Sequence, residues 1–256
     1  MARVLSPATY GRRPVLTLQT RSPAPAPPRT GQLLLVEDDD ELRAVMAEAL
    51  AADGHAVTQA AGGRDALDAL AARAFDLLIL DLGLGPGPDG IEVCRRLRGA
   101  GADLHVLVLT ARDGEAHVVM ALEAGADDYV TKPVGVAELR SRVRAVLRRV
   151  RPSQPSRELL RHGAIAVDPG ARTATVGGAT VPLTYSEFEI LRALLDAGGR
   201  LLSRRELLRA MFGDDGYRDP RAIDVHIHHV REKLARAGGD PDAIATVRGA
   251  GYRMRG

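Results

Sequence analysis

Leu77-Leu78-Ile79-Leu80-Asp81 is a run of four apolar residues closed by one carboxylate. So short a run, without polar alternation, reads as a strand buried on both faces, the setting of an inner strand in a parallel sheet. A second run, Leu33-Leu34-Leu35-Val36, closes on Glu37-Asp38-Asp39-Asp40. Outward from these two, strand candidates fall at 32–36, 56–60, 77–81, 105–110 and 128–131. Helical stretches fall between and after them at 40–53, 63–73, 90–99, 114–124 and 135–149. The last carries Leu139, Val143, Val146, Leu147 and Val150 at helical spacing, with arginines opposite. Alternating strands and helices predict an α/β unit: a parallel five-stranded sheet, covered on both faces and joined by right-handed crossovers. Ligands of such sheets bind beyond the carboxyl ends of the strands.

That geometry gathers several negative charges at one edge, a costly arrangement unless a cation fills it. Thr110 ends the fourth strand and Lys132 the fifth, so a hydroxyl and an ammonium join the carboxylates. Mg2+ prefers hard oxygen ligands and commonly takes one or two carboxylates together with phosphate oxygens and water. The set describes phosphoryl transfer to an aspartate. Asp81 is the nucleophile, a metal neutralises the transferring group, and Lys132 holds its equatorial oxygens.

Beyond the sheet, Arg151-Pro152-Ser153-Gln154-Pro155-Ser156-Arg157 is a polar linker whose two prolines cannot continue a helix. Residues 158–183 read as short strands broken by turns at Asp168-Pro169-Gly170 and Gly177-Gly178. Two capping boxes follow, Thr184-Tyr185-Ser186-Glu187 and Ser203-Arg204-Arg205-Glu206, each opening an apolar-periodic helix. A third helix runs from about Pro220 to Ala237, and Ala245 to Arg255 forms a closing hairpin around Gly249-Ala250-Gly251. This describes a winged helix-turn-helix, an α+β unit. Its third helix sets Ile223, Ile227, Val230 and Leu234 on one stripe and Arg221, His228, His229, Arg231 and Lys233 elsewhere. A solvated basic face would look the same in isolation; the helix-turn-helix context favours a recognition helix in the major groove. His226, His228 and His229 are spread around the helix rather than converging on a metal.

Charge separates the two halves: residues 32–150 carry 13 Lys and Arg against 20 Asp and Glu, residues 157–256 carry 16 against 13. An acidic cation-binding or signalling module joined to a basic one suits nucleic acid as partner of the second. Residues 1–31 hold five arginines, no acid and Ser22-Pro23-Ala24-Pro25-Ala26-Pro27-Pro28, and read as a disordered extension. No stretch approaches the roughly 18 apolar residues of a membrane span. Cys94 is the one cysteine, which excludes an internal disulfide and suits a reducing cytoplasm; it reads as a small apolar filler on a helix.

Residues 32–150 resemble the receiver domain of bacterial two-component response regulators. The matching residues are Leu35-Val36-Glu37-Asp38-Asp39, Asp81-Leu82, Asp89-Gly90, Leu109-Thr110-Ala111, Gly125-Ala126-Asp127-Asp128-Tyr129 and Lys132-Pro133. The resemblance implies a flavodoxin-like (βα)5 fold with strand order 2-1-3-4-5 and phosphorylation of Asp81 by a sensor histidine kinase. It implies Mg2+ held by Asp38, Asp81 and the Gly83 carbonyl, with Glu37 acting through water. It also implies a switch in which Thr110 moves to the phosphoryl group and Tyr129 follows; the bland alternative for Tyr129 is a half-buried strand aromatic.

Residues 158–255 are similar to the effector domain of the OmpR/PhoB family. The similarity lies in Leu183-Thr184-Tyr185-Ser186-Glu187-Phe188, Asp224-Val225-His226-Ile227, Val230-Arg231-Glu232-Lys233-Leu234 and Thr246-Val247-Arg248-Gly249-Ala250-Gly251-Tyr252-Arg253. It implies DNA contacts among Arg221, Val225, His226, His228, His229, Arg231, Lys233, Thr246 and Arg248, the last on the wing at the minor groove. It further implies a homodimer on phosphorylation, through ion pairs among Glu123, Asp127, Asp128, Glu138, Arg142 and Arg144, and promoter DNA with direct repeats. RNA polymerase is a further candidate partner, and no membrane is expected.

Several positions depart from the pattern. The loop Gly83-Leu84-Gly85-Pro86-Gly87-Pro88-Asp89-Gly90 is one residue longer than usual, and Gly83 replaces a bulkier residue. Val134 stands in place of an aromatic, Val118 at a commonly basic position, and His228-His229 where many relatives carry arginines. Three alternatives stay open: a phosphate-independent DNA-binding protein with a degenerate receiver, an aspartate-nucleophile phosphatase, and a flavin protein on a similar sheet. Gly83 stands where the phosphatase needs an acid, and four acids stand where a flavin loop needs hydroxyls and glycines.

Overall fold

The computed structural model describes residues 30–111, 115–150, 158–213 and 220–256. The expected linker 151–157 and residues 1–29 of the expected extension lie outside the described residues. The first unit runs β1 (Gln32–Val36), α1 (Asp40–Ala52), β2 (Ala56–Ala60), α2 (Gly63–Ala72), β3 (Leu77–Asp81), α3 (Gly90–Gly99), β4 (Val106–Ala111), α4 (Glu115–Glu123), β5 (Asp128–Lys132) and α5 (Val136–Val150). Its strands form a parallel sheet in the order β2-β1-β3-β4-β5. The expected elements are all present, with boundaries shifted by a residue or so, and the order inherited from the resemblance holds.

The unbroken apolar runs resolve into two faces once paired. Leu34, Val36, Leu78, Leu80, Val106 and Val108 share a buried cluster with Ile91, Val93, Cys94 and Leu97 of α3. Leu33, Leu35, Leu77, Ile79, Leu107 and Leu109 share another with Met46 and Leu50 of α1 and Leu139, Val143, Val146 and Leu147 of α5. Period-two alternation is therefore intact, but both faces of the sheet are buried. Cys94 fills one of them as expected, and burial pushes its thiol up to about 12.

The second unit opens with β6 (Leu160–His162), β7 (Ile165–Asp168), β8 (Thr173–Val176) and β9 (Ala179–Thr180), a four-stranded antiparallel sheet. Three helices follow, α6 (Tyr185–Asp196), α7 (Arg204–Phe212) and α8 (Arg221–Arg236), and then the hairpin β10 (Ile244–Val247) and β11 (Gly251–Met254). Both capping boxes form: Thr184 and Glu187 close reciprocally at α6, and Ser203 and Glu206 at α7. Ile223, Ile227, Val230 and Leu234 of α8 enter one core with Phe188 and Leu191 of α6, Leu207 and Met211 of α7, and Ile244 and Met254 of the hairpin. This is a winged helix, and its third helix also packs against α4 of the first unit.

Candidate functional site

Strand register builds the carboxyl edge. Val36 pairs with Leu80, so the next residues along the two parallel strands, Glu37 and Asp81, come side by side. Thr110 and Lys132 follow from the β4 and β5 register, where Ala111 pairs with Lys132. Lys132 Nζ lies 2.8 Å from Glu37 and 2.9 Å from Asp81. Glu37, Asp81 and Thr110 are buried and Asp38 is exposed. Burial is the largest influence raising the Glu37 carboxyl above its ordinary value; the Asp81 charge adds to it while Lys132 opposes it. The Lys132 ammonium rises despite burial, because Glu37 and Asp81 both favour its charged form.

The four acids after β1 divide their tasks. Glu37 and Asp38 turn to the site, while Asp39 accepts from the Leu42 N–H at 2.9 Å as the N-cap of α1. Asp40 pairs with Arg43, which also donates to the Glu37 carbonyl oxygen at 2.7 Å. Oxygens of Glu37, Asp38 and Asp81 lie within 4.8 Å of one another. Among the described residues three carboxylates face one ammonium, which leaves negative charge uncompensated, and all-oxygen donors fit a hard divalent cation.

The glycine-rich loop is anchored by contact. A Cβ on Gly90 would lie 2.3 Å from the Asp81 carbonyl oxygen, and one on Gly63 would lie 2.0 Å from that of Pro88. The far end of the loop is thus clamped to β3 and to α2. At its near end the nearest non-neighbouring atom to a Cβ built on Gly83 is Asp81 Oδ2 at 3.6 Å; on Gly85 it is Asp38 Oδ2 at 3.8 Å. The space over the carboxylates is bordered there by backbone without side chains.

On α8, Arg221 and His228 are exposed, as are Thr246 and Arg248 on the hairpin. Several of the expected DNA contacts have partners within the chain. Arg231 donates to the Ile244 carbonyl oxygen at 2.7 Å and to Thr246 Oγ1 at 2.8 Å. Lys233 donates to Glu187 at 2.6 Å, and His229 Nδ1 lies 3.7 Å from the same carboxylate. Val225 is partly buried. His226 is held away from solvent in this arrangement: it is 1% exposed, and the backbone of Asp127 in the first unit is its hydrogen-bond partner.

Most of the expected dimer residues have partners within the chain. Asp127 is 1% exposed: its Oδ2 accepts from Arg98 at 2.8 Å and the Val106 N–H at 2.9 Å, and its Oδ1 from the Ser186 N–H at 2.8 Å. Asp128 and Glu138 both bind Arg142, and Arg144 lies 3.3 Å from Asp53, so these pairs close within the chain. Glu123 is exposed. Sequence reasoning missed the partners of Asp127: His105, Arg98, Ser186 and Val106. Arg98 also binds the carbonyls of Gly125, Ala102 and Leu104. An arginine near a helix end and an acidic pair after Gly125 were visible separately, but nothing local joined them.

The response regulator receiver domain model matches residues 33–144, and the C-terminal model of transcriptional regulatory proteins matches residues 178–254. The chain belongs to the two-component response regulators of the OmpR/PhoB type, transcription regulators that join a receiver to a winged-helix DNA-binding domain. It is 42% identical over 222 residues to transcriptional regulatory protein AfsQ1 of Streptomyces coelicolor, covering 87% of this chain and 97% of that one. It is 40% identical over 225 residues to response regulator MprA of Mycobacterium tuberculosis, covering 88% and 97%. A solved structure of a RitR mutant matches with a TM-score of 0.72 at 23% identity, over 88% of this chain and 99% of that one, a likeness of fold. A receiver implies a histidine kinase as partner, and the C-terminal domain implies DNA. No described helix is long and apolar enough to cross a membrane.

Proposed function

We propose that Asp81 is the phosphoacceptor of a cytoplasmic signalling pair and that its phosphorylation controls promoter binding by the winged helix. The observation that carries this reading is Lys132 Nζ held at 2.8 Å from Glu37 and 2.9 Å from Asp81, beside Asp38. The buried Asp81 carboxylate attacks the phosphorus of a kinase phosphohistidine; an oxygen–phosphorus bond forms, the nitrogen–phosphorus bond breaks, and the imidazole leaves with the electron pair. Lys132 neutralises charge on the equatorial oxygens. Mg2+, held by Asp38, Asp81 and the Gly83 carbonyl with Glu37 behind a water, would neutralise the transferring group when bound. Thr110 closes on the phosphoryl oxygens, and Tyr129 follows it.

The domains span 32–150 and 158–256, a reading supported by three buried clusters, two on the faces of the first sheet and one in the winged helix. Arg221, His228, Thr246 and Arg248 supply DNA contacts from exposed positions, joined by Arg231, His229, Lys233, Val225 and His226 once their present partners release them. Dimerisation uses the α4, β5 and α5 face, on tandem sites, with RNA polymerase as a downstream partner.

Acetyl phosphate and Mg2+ should add the mass of one phosphoryl group, about 80 Da, to the chain but not to Asp81→Asn. An adduct that persists in the variant refutes the site.

A further inference from the structure

The contact between the two units is built from side chains that the phosphoacceptor site does not use. Asp127 spends one oxygen on its own unit and the other on the Ser186 N–H at the start of α6, while Ser186 Oγ donates to the Asp127 carbonyl oxygen at 3.2 Å. The His105 ring meets Tyr185 edge-on at 4.9 Å between centroids and Phe212 at 6.5 Å. His226 enters from α8, fully buried, with Nε2 lacking a hydrogen-bond partner.

We propose that this contact is an acid-releasable lock: the receiver docks on this chain's own recognition helix, and a neutral His226 imidazole is the condition for docking. A second proton on His226 would place a cation and an unpaired N–H inside the contact, so the docked form excludes it. The charged groups facing His226 are Asp127 from the receiver, Glu187 from α6 and His229 one helical turn along α8; Lys233 lies on Glu187, and Arg98 on Asp127. Asp127 and Glu187 favour the charged imidazole, but burial outweighs both and holds His226 below its ordinary value. Burial alone would raise Asp127; its electrostatic interactions with His105 and Arg98 and the N–H groups of Ser186 and Val106 outweigh it and hold the carboxyl below its ordinary value. Released, His226 regains an ordinary imidazole value near 6.5. Docking is therefore strongest above that value and weakens as pH falls through it, up to about tenfold per pH unit for one proton, until the depressed docked value is reached. Release exposes the helix that reads DNA, a consequence that rests on the DNA-binding reading above.

Small-angle scattering and hydrogen exchange on the unphosphorylated full chain, between pH 7.5 and 5.5, test the lock, with exchange corrected for its intrinsic pH dependence. The wild type should lengthen on acidification, and protection of the Ser186 amide and of α8 should fall by about tenfold per pH unit below about 6.5. His226→Gln, which can still donate to the Asp127 backbone, and His226→Leu, which cannot titrate, should stay docked across the range. A wild type that stays docked at pH 5.5 overturns the proposal, as do both variants opening at pH 7.5. So does a response that survives in His226→Gln and disappears in His105→Gln. No phosphodonor is present, so these outcomes are separate from the Asp81 adduct.

Discussion

The carboxyl edge of the sheet and the recognition helix were both marked in the sequence, yet they differ in what places their side chains. At the sheet edge the backbone does the placing: parallel register sets Glu37 beside Asp81, and the β4 and β5 register sets Lys132 at the same edge. On α8 the helix fixes only which side a residue faces, and the neighbours decide what it does. Arg231, Lys233 and His226 all sit on the expected element, but they are held by the wing, by α6 and by the receiver respectively. Topology therefore specifies the first site, whereas the second is a competition between DNA and partners inside the chain.

Substitutions separate the two cases. The largest effect is expected from Lys132→Ala, which removes the one ammonium seen between Glu37 and Asp81. Phosphorylation of Asp81 by acetyl phosphate should slow by about 100-fold or more, followed by mass. If the rate holds within a fewfold, Lys132 is a structural counter-ion and register alone does not make the site. Gly90→Ala probes the clamp beneath it. A Cβ there meets the Asp81 carbonyl oxygen at 2.3 Å, so the variant should lose about 1–3 kcal/mol of stability in urea titration. An unchanged midpoint would mean that the loop yields freely.

On the helix, His229→Arg puts a permanent cation where an imidazole now faces Glu187. Arginine can reach past Glu187 or take it from Lys233, and either way about one more charge becomes available to phosphates. Binding to a random-sequence duplex should tighten, and its salt dependence should steepen by about 0.9 in the log–log slope. An unchanged slope would show that Glu187 absorbs the new charge. The smallest effect concerns Glu206, held down to about 2 by the Ser203 backbone and hydroxyl and by Arg200. Its carboxylate supports α7 above the ordinary value of 4.5 and loses that role as pH falls through about 2. Helicity of wild type and Glu206→Gln should therefore differ slightly at pH 6 and converge near pH 2 by circular dichroism.

Legibility followed the range of the interaction. Short apolar runs, capping boxes and helical stripes depend on neighbours a few residues away, and Thr184, Ser203 and the stripe Ile223, Ile227, Val230 and Leu234 were readable in full. Glu37, Asp81 and Lys132 are far apart in sequence, but parallel topology reduces their meeting to one register, which made that site readable too. Asp127, Asp128 and Arg144 were expected at an exposed face and are bound within the chain. The partners Arg98, Ser186 and Asp53 come from other elements, and no local pattern announces them. His105 looked like any residue at the start of a strand, and its packing on Tyr185 depends on how the two units meet.

The Asp127 carboxylate also limits how freely such a chain can be recombined. Oδ2 belongs to the receiver through Arg98 and Val106, and Oδ1 belongs to the effector through Ser186. A chimera that borrows another winged helix would keep the first set of bonds and inherit a stranger for the second. Chimeras grafted at the linker should retain coupled behaviour only when the donor offers a free N–H at the position of Ser186. One limit to modularity in this protein is therefore a side chain whose two oxygens answer to different halves of the molecule.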